Sequence, residues 1–146
     1  MNILYINHYA GSLKHGMEFR SYYLSREWVK SGHKVKILAA SYSHVRTLQP
    51  RVLSKILNEN IDGIDFSWYK TNKYSGNGLG RVLNIFQFIY SIWKNRKKIN
   101  DNFSPDVVIA SSTYPMDIWP AKKIADLYNA KLIYEMHDLW PLSPIE

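Results

Sequence analysis

The first forty residues constrain the fold more than any other stretch. Ile3 to Asn7 is a short apolar run of the buried-strand type. His8 to His15 interrupts it with Gly11 and Ser12 and reads as a loop. From Gly16 to Lys30 the apolar side chains Met17, Tyr23 or Leu24, Trp28 and Val29 return at helical spacing. Ser31-Gly32 stops that helix, with glycine where a left-handed residue follows the last turn. His33 to Ala40 is a second strand. Strand, loop, helix, turn and strand in this order make a right-handed parallel crossover.

The rest of the chain keeps alternating. Ser41 to Asn60, broken by Pro50, reads as a variable excursion. Ile61-Asp62-Gly63-Ile64 carries the Asp-Gly signal of a tight hairpin, and Ile64 to Lys70 alternates as a half-buried strand. Lys73 to Gly80 is a glycine-rich loop. Leu79 to Ile99 reads as a long helix with Arg81, Asn84, Gln87, Ser91 and Lys94 as its polar stripe. Asp106 to Ala110 is a strand, Met116 to Tyr128 a helix and Lys131 to Glu135 another strand. The expected fold is an open, mostly parallel, Rossmann-like α/β sheet with helices on both faces. At 146 residues it is one domain, spanning 1–146. Apolar residues and two prolines run from Met136 to Glu146 with no closing helix, so a further segment is expected to follow.

Composition narrows the chemistry. With no cysteine, a disulfide scaffold, a cysteine zinc site, an iron–sulfur cluster and a thiol nucleophile are excluded. The net charge of +7 is local. Between Phe66 and Asn100 lie seven basic residues (Lys70, Lys73, Arg81, Lys94, Arg96, Lys97 and Lys98), eight aromatic ones and no acid. A basic, aromatic surface marks an anionic partner; a solvated helix face beside a packed core is the plainer reading. The helix apolar stripe Leu79, Leu83, Phe86, Tyr90 and Trp93, widened by Ile85, Ile89 and Ile92, is too short to span a bilayer. It suits the membrane interface, with Arg81, Lys94, Arg96, Lys97 and Lys98 on lipid phosphates, or a crossover helix packed on the sheet. The N-terminus lacks the marks of a secretory signal, so a cytoplasmic protein touching a membrane surface is expected.

Ligands of open parallel sheets bind outside the carboxyl ends of the strands, where the strand order reverses. Four loops fall there: His8 to Gly16, Ser41 onward, Ser111 to Pro115 and Met136 to Pro141. Gly16 at a helix start offers backbone N–H groups to an anion, or is a simple turn. Gly76-Asn77-Gly78-Leu79-Gly80 has the wrong spacing for a dinucleotide loop, and no acid ends a strand at the required distance. Ser111-Ser112-Thr113 supplies hydroxyls, as turns and caps also do. Glu135-Met136-His137-Asp138 sets a histidine beside an acid at a strand end, suited to proton handling near neutral pH. His8, His15, His33, His44 and His137 lack metal-motif spacing, and no metal is expected.

These segments, in order, resemble a known family. They are His15-Gly16-Met17-Glu18-Phe19-Arg20, Tyr23-Leu24-Ser25-Arg26-Glu27-Trp28, Ser31-Gly32-His33-Lys34-Val35, Pro105-Asp106-Val107-Val108-Ile109-Ala110-Ser111-Ser112 and His137-Asp138-Leu139-Trp140-Pro141. The chain is similar, over nearly its whole length, to the N-terminal domain of family-4 glycosyltransferases of the GT-B fold. It looks most like bacterial members that build O-antigen or capsule polysaccharide. The resemblance implies a retaining enzyme that moves a sugar from a nucleotide-sugar donor to a glycan or polyprenyl-diphosphate-linked acceptor. It also implies a separate C-terminal domain holding the nucleotide and a paired-glutamate motif, so these 146 residues alone are expected to be inactive. Residue by residue, Gly16 and Met17 match the donor-diphosphate loop, and His137 the cleft histidine with Asp138 behind it. Glu18, Arg20, Ser111 and Ser112 match acceptor contacts. No cofactor is implied, since the nucleotide-sugar is a substrate. A stand-alone binding module for an anionic glycolipid or nucleotide remains the alternative. Nucleic acid is not an expected partner, for no recognised motif supports it.

Overall fold

The computed structural model describes residues 1–99 and 103–137. In chain order its elements are β1 (Asn2–Ile6), α1 (Arg20–Lys30), β2 (Lys34–Ala40), β3 (Ile56–Ile61), β4 (Ile64–Tyr69), α2 (Leu79–Asn95), β5 (Val107–Ala110), α3 (Ile118–Tyr128) and β6 (Lys131–Tyr134). The strands form one sheet in the order β3-β4-β2-β1-β5-β6. Every neighbouring pair is parallel except β3–β4. Asp62 and Gly63 both have positive φ, 53° and 82°, the geometry of the primed turn that closes the β3–β4 hairpin.

Alternation along each strand builds two cores. Ile3 and Tyr5 of β1, Val35 and Ile37 of β2, and Phe66 and Trp68 of β4 pack beneath α1 with Tyr22, Trp28 and Val29. Leu4 and Ile6, Leu38 and Ala40, and Val108 and Ala110 face the other way, against Phe88 and Ile92 of α2 and Ala121, Ile124 and Ala125 of α3. The protein is therefore an open, mostly parallel, Rossmann-like α/β sheet with helices on both faces. The chain moves outward from β1 through β2 to β4, then returns to place β5 on the free side of β1. The strand order reverses between β1 and β5, and a crevice opens above their carboxyl ends.

Several boundaries differ from expectation. The first helix starts at Arg20, not Gly16. Gly16 has φ +82°, a left-handed value that closes a turn and cannot enter a right-handed helix. The His15 and Gly16 amides both donate to the Ser12 carbonyl, at 2.9 and 3.0 Å. The buried face of α1 carries Ser21, Tyr22 and Ser25, whereas Met17 and Tyr23 are exposed. The helix ended by Ser31-Gly32 does close on a left-handed Gly32, φ +83°. The excursion between Ser41 and Asn60 contains most of the antiparallel edge strand β3. α2 stops at Asn95 and tightens into a 3₁₀ turn over Arg96–Lys98, and a second such turn, Pro115–Asp117, precedes α3.

The largest difference is the rotation of α2. Asn84, expected on a polar stripe, is buried, and its Nδ2 donates to the Asn72 carbonyl at 2.5 Å. Ile85, Phe88, Ile89 and Ile92 share one face at helical spacing and turn inward. Leu79, Leu83, Phe86, Tyr90 and Trp93 are left exposed. Among the described residues no helix is long and apolar enough to cross a membrane.

Candidate functional site

The crevice at the β1–β5 reversal holds a cavity of about 380 Å³, whose walls include Asn7, Glu18, Ser111 and His137, with Tyr9, His44 and Arg81. Each comes from a loop or helix end that the topology brings to the carboxyl edge. Asn7 directly follows β1 and Ser111 directly follows β5. The His8–Phe19 loop supplies Tyr9 and Glu18, the segment after β2 supplies His44, and the first turn of α2 supplies Arg81.

A partly buried network fixes the floor. The Tyr5 hydroxyl donates to Glu135 Oε2 at 2.6 Å, and Ser111 Oγ donates to the same oxygen at 2.6 Å. Ser111 Oγ lies 2.8 Å from His137 Nε2 and 2.9 Å from the Tyr5 oxygen. Arg20 donates to the other carboxylate oxygen, from Nε at 2.8 Å and also from Nη2. Burial pushes the Glu135 carboxyl up, but the hydrogen bonds from Ser111, Tyr5 and Arg20 outweigh it and hold the pKa down at about 2. The Tyr5 hydroxyl moves the opposite way, pushed above its ordinary range by burial and by the bond to Glu135.

Proton bookkeeping then orients His137. With Glu135 ionised and both hydroxyl protons directed to it, Ser111 has only lone pairs for the imidazole. This network assigns the Nε2 proton to His137, donating to Ser111, and leaves Nδ1 unprotonated in the neutral ring. The same bookkeeping argues against Ser111 as a nucleophile. Its proton faces a carboxylate of very low basicity, whereas an activated serine points its proton at a base able to take it.

The loop that carries Glu18 is pinned from below. The Gly11 amide donates to the Glu18 carbonyl at 3.0 Å. A Cβ on Gly11 would lie 2.5 Å from the Gly16 carbonyl oxygen and 2.7 Å from that of Met17, so glycine is required there. Arg46 is buried beneath, donating from Nη1 to the Ala10 carbonyl at 2.8 Å and from Nη2 to the Ala40 carbonyl at 2.5 Å. Its guanidinium carbon sits 5.0 Å from the Trp68 ring centre. Burial draws its pKa down to about 9, which still leaves it charged near neutral pH. Arg81 reaches the Tyr9 hydroxyl from Nε at 3.2 Å and from Nη2 at 3.0 Å, and Asn77 Oδ1 from Nη1 at 2.8 Å. The crevice therefore has one guanidinium in its wall and another buried behind the first loop.

No protein-family model matches this chain. No curated protein matches it either.

The residues singled out in the sequence separate by where the fold places them. Glu18, Ser111 and His137 meet in the crevice. Arg20 and Ser112 support it from outside its walls: Arg20 holds Glu135, while Ser112 Oγ accepts the His8 amide at 3.1 Å and the Ser112 amide donates to Asp117 at 2.8 Å. Gly16 and Met17 do not line the crevice, and the Gly16 amide is already used by the Ser12 carbonyl. Asp138 lies outside the described residues. The set expected on a membrane surface divides: Arg81 is drawn into the crevice, while Lys94, Arg96, Lys97 and Lys98 gather at the far end of α2. Twelve residues lie between Arg81 and Lys94, a helical rise of about 20 Å.

Tyr5 and Asn7 were not singled out in the sequence; Tyr9 and His44 fell only within candidate loops, and Thr113 and Glu135 stood in candidate motifs without a role of their own. Asn7 and Glu135 each stand one residue beyond a strand's carboxyl end, which was the available signal. His8 is buried and neutral; burial and the nearby Arg46 charge lower its pKa to about 3, and its Nδ1 meets the Tyr114 hydroxyl at 2.7 Å. Among the described residues no three His, Asp or Glu side chains gather closely enough to hold a metal ion.

Proposed function

We propose that this chain is the acceptor-side domain of a retaining glycosyltransferase of the GT-B fold, family 4, acting in bacterial surface-polysaccharide synthesis. It works at the inner face of the cytoplasmic membrane with a second domain that binds the nucleotide-sugar donor. The observation that carries the reading is the crevice at the strand-order reversal. There an oriented imidazole, a carboxylate and a guanidinium face one space large enough for part of a small organic substrate.

In this reading His137 contacts the donor sugar or the acceptor, its Nε2 proton held by Ser111 and its Nδ1 able to accept from a hydroxyl. Glu18 accepts a hydrogen bond from an acceptor hydroxyl. Arg81 in the wall, opposite in sign to Glu18, is the guanidinium placed to meet a departing nucleoside diphosphate. The resemblance assigns Gly16 and Met17, on the loop that leads to Glu18, to the donor diphosphate. Leu132, Ile133 and Tyr134 stay exposed on β6, although parallel strands are normally covered on both faces. This uncovered apolar surface supports the two-domain reading, since a second domain packed there would cover it. The reaction needs no cofactor beyond the nucleotide-sugar substrate, and nucleic acid has no part in it.

The test is release of nucleoside diphosphate from a panel of nucleotide-sugars. We expect none from the 146 residues alone and turnover from the protein carrying both domains. Turnover by the isolated chain overturns the proposal. Binding of a glycolipid without turnover in the two-domain protein favours the binding-module alternative.

A further inference from the structure

α2 carries two apolar seams where a crossover helix needs one. Ile85, Phe88, Ile89 and Ile92 make its buried face. Leu79, Leu83, Phe86, Tyr90 and Trp93 make the second, and every one of them is exposed. Their positions advance by alternate steps of four and three residues, which keeps side chains in line along one face and is the spacing of a seam between packed helices.

Beside the later part of this seam lies a trough, a cavity of about 660 Å³ between α2 and α3. Phe86, Tyr90 and Trp93 line it from α2, and Trp119 lines it from α3. These rings are not core: Phe86 is 49% exposed, Tyr90 62%, Trp93 37% and Trp119 56%. A contiguous aromatic surface of this kind marks a binding site rather than a packing requirement. The trough is separate from the crevice, because the packed side chains Tyr9, Ile85, Ile89 and Tyr114 stand between them.

Shape and charge select the occupant. The exposed seam rises about 21 Å from Leu79 to Trp93, the length of four helical turns. A hollow between two helices takes a rod, as the grooves of one helix take the ridges of another, whereas a flat bilayer surface meets crests. The rim is cationic. Lys122 and Lys123 border the trough and Lys94 stands in the last turn of α2. α2 has no acidic residue, and Asp126, the acid of α3, is paired with Lys122 at 3.0 Å. A second copy of this chain would set lysine against lysine, so charge selects against it.

We propose that the α2–α3 trough is a docking groove for an acidic amphipathic helix of a partner protein. The apolar seam of that helix lies along Leu79 to Trp93, and its flanking carboxylates meet Lys122 and Lys123. Docking is independent of what the crevice catalyses. It leaves the crevice open and stations the partner on the helix that carries Arg81 into the crevice wall.

The probes are two synthetic peptides of about 18 residues, long enough to hold a helix once docked. Both carry leucine at alternate steps of four and three; glutamate flanks that seam in one and lysine in the other. Each is titrated into the 146-residue chain by calorimetry. We expect the glutamate peptide to bind roughly tenfold more tightly, with a preference that shrinks as salt rises. The variant Phe86→Gln/Trp119→Gln, at two exposed positions, is expected to lose the glutamate peptide and keep its Tm. Lys122→Glu/Lys123→Glu is expected to keep its Tm and lose the preference. Equal affinities for the two peptides in the unaltered chain overturn the proposal, as does unchanged peptide binding in either variant. Vesicles of phosphatidylglycerol and phosphatidylcholine that displace the glutamate peptide, and that the Phe86→Gln/Trp119→Gln variant no longer binds, would make the trough a bilayer-docking face. A dimer in sedimentation velocity that the same variant abolishes would assign the trough to a second copy. Loss of peptide binding in the two-domain protein would assign it to that protein's own second domain. Any of these three results overturns the choice of partner.

Discussion

The crevice and the trough share a wall of four packed side chains, Tyr9, Ile85, Ile89 and Tyr114, yet they are built on opposite rules. In the crevice the floor is tied down. Glu135 takes hydrogen bonds from three side chains, and the first loop is held by Arg46 and by the Gly11–Glu18 bond. In the trough large apolar side chains stand open to solvent without a described partner. The first region has the fixed geometry that chemistry needs, because each polar group's orientation is decided by the next. The second has the unspent apolar surface that binding needs. Substitutions in the crevice are therefore expected to harm activity or folding, and substitutions at the far end of the trough only binding.

The largest effect is expected from His137→Ala in the two-domain protein. Loss of an oriented proton-handling group lowers kcat by about 10²-fold or more, while thermal unfolding stays where it was. Unchanged turnover would remove His137 from the site and leave the crevice without its main chemical group.

Gly11→Ala comes next, and here the expected effect is on folding. The added methyl meets two backbone carbonyls that cannot swing aside, so a loss of about 2–4 kcal/mol is expected in denaturant melts. A loss under about 0.5 kcal/mol would mean that the first loop is freer than its contacts imply.

Glu135→Gln sharpens the contrast through pH. The carboxyl titrates at about 2 in the fold against a usual value near 4.5, so its stabilisation is complete above about 4.5 and is lost as pH falls through 2. The variant should be less stable by about 1–3 kcal/mol at neutral pH, since hydrogen bonds to a charged group are weakened. Its stability between pH 4.5 and 2 should fall less steeply than that of the parent. Parallel acid profiles would show that the network does not hold the carboxylate ionised.

The smallest effect on the fold is expected from replacing Lys94, Arg96, Lys97 and Lys98 together by Gln. These side chains end α2 at the surface, so stability should change by less than about 1 kcal/mol, the loss of a favourable helix-end charge. Sedimentation with anionic vesicles should fall several-fold, and most at low salt. Equal vesicle binding would make the cluster a solvated helix end.

How much of this was legible from the residues differs by element. The β1–α1–β2 crossover and the Asp62-Gly63 hairpin were readable because apolar spacing and glycine placement are local properties. The start of α1 was not, because the left-handed turn at Gly16 is held by the Ser12 carbonyl and by Thr47 and Leu48, whose amides donate to the His15 carbonyl at 3.1 and 3.0 Å. His137 and Ser111 could be nominated from strand-end position and Glu18 only from the family resemblance, whereas the partnership of Tyr5 with Glu135 crosses 130 residues of sequence.

α2 marks the boundary most clearly. Its amino acids required a helix that was apolar around most of its circumference, and the crossover pattern required it to lie on the sheet. Which apolar face went inward was settled by packing, since Phe88 and Ile92 met the strands while Phe86, Tyr90 and Trp93 stayed exposed. Local periodicity records that a side chain avoids water, but not which neighbour it meets. That choice awaits the assembly of distant segments, and it left one face of α2 open, with the crevice at one end and the lysines at the other.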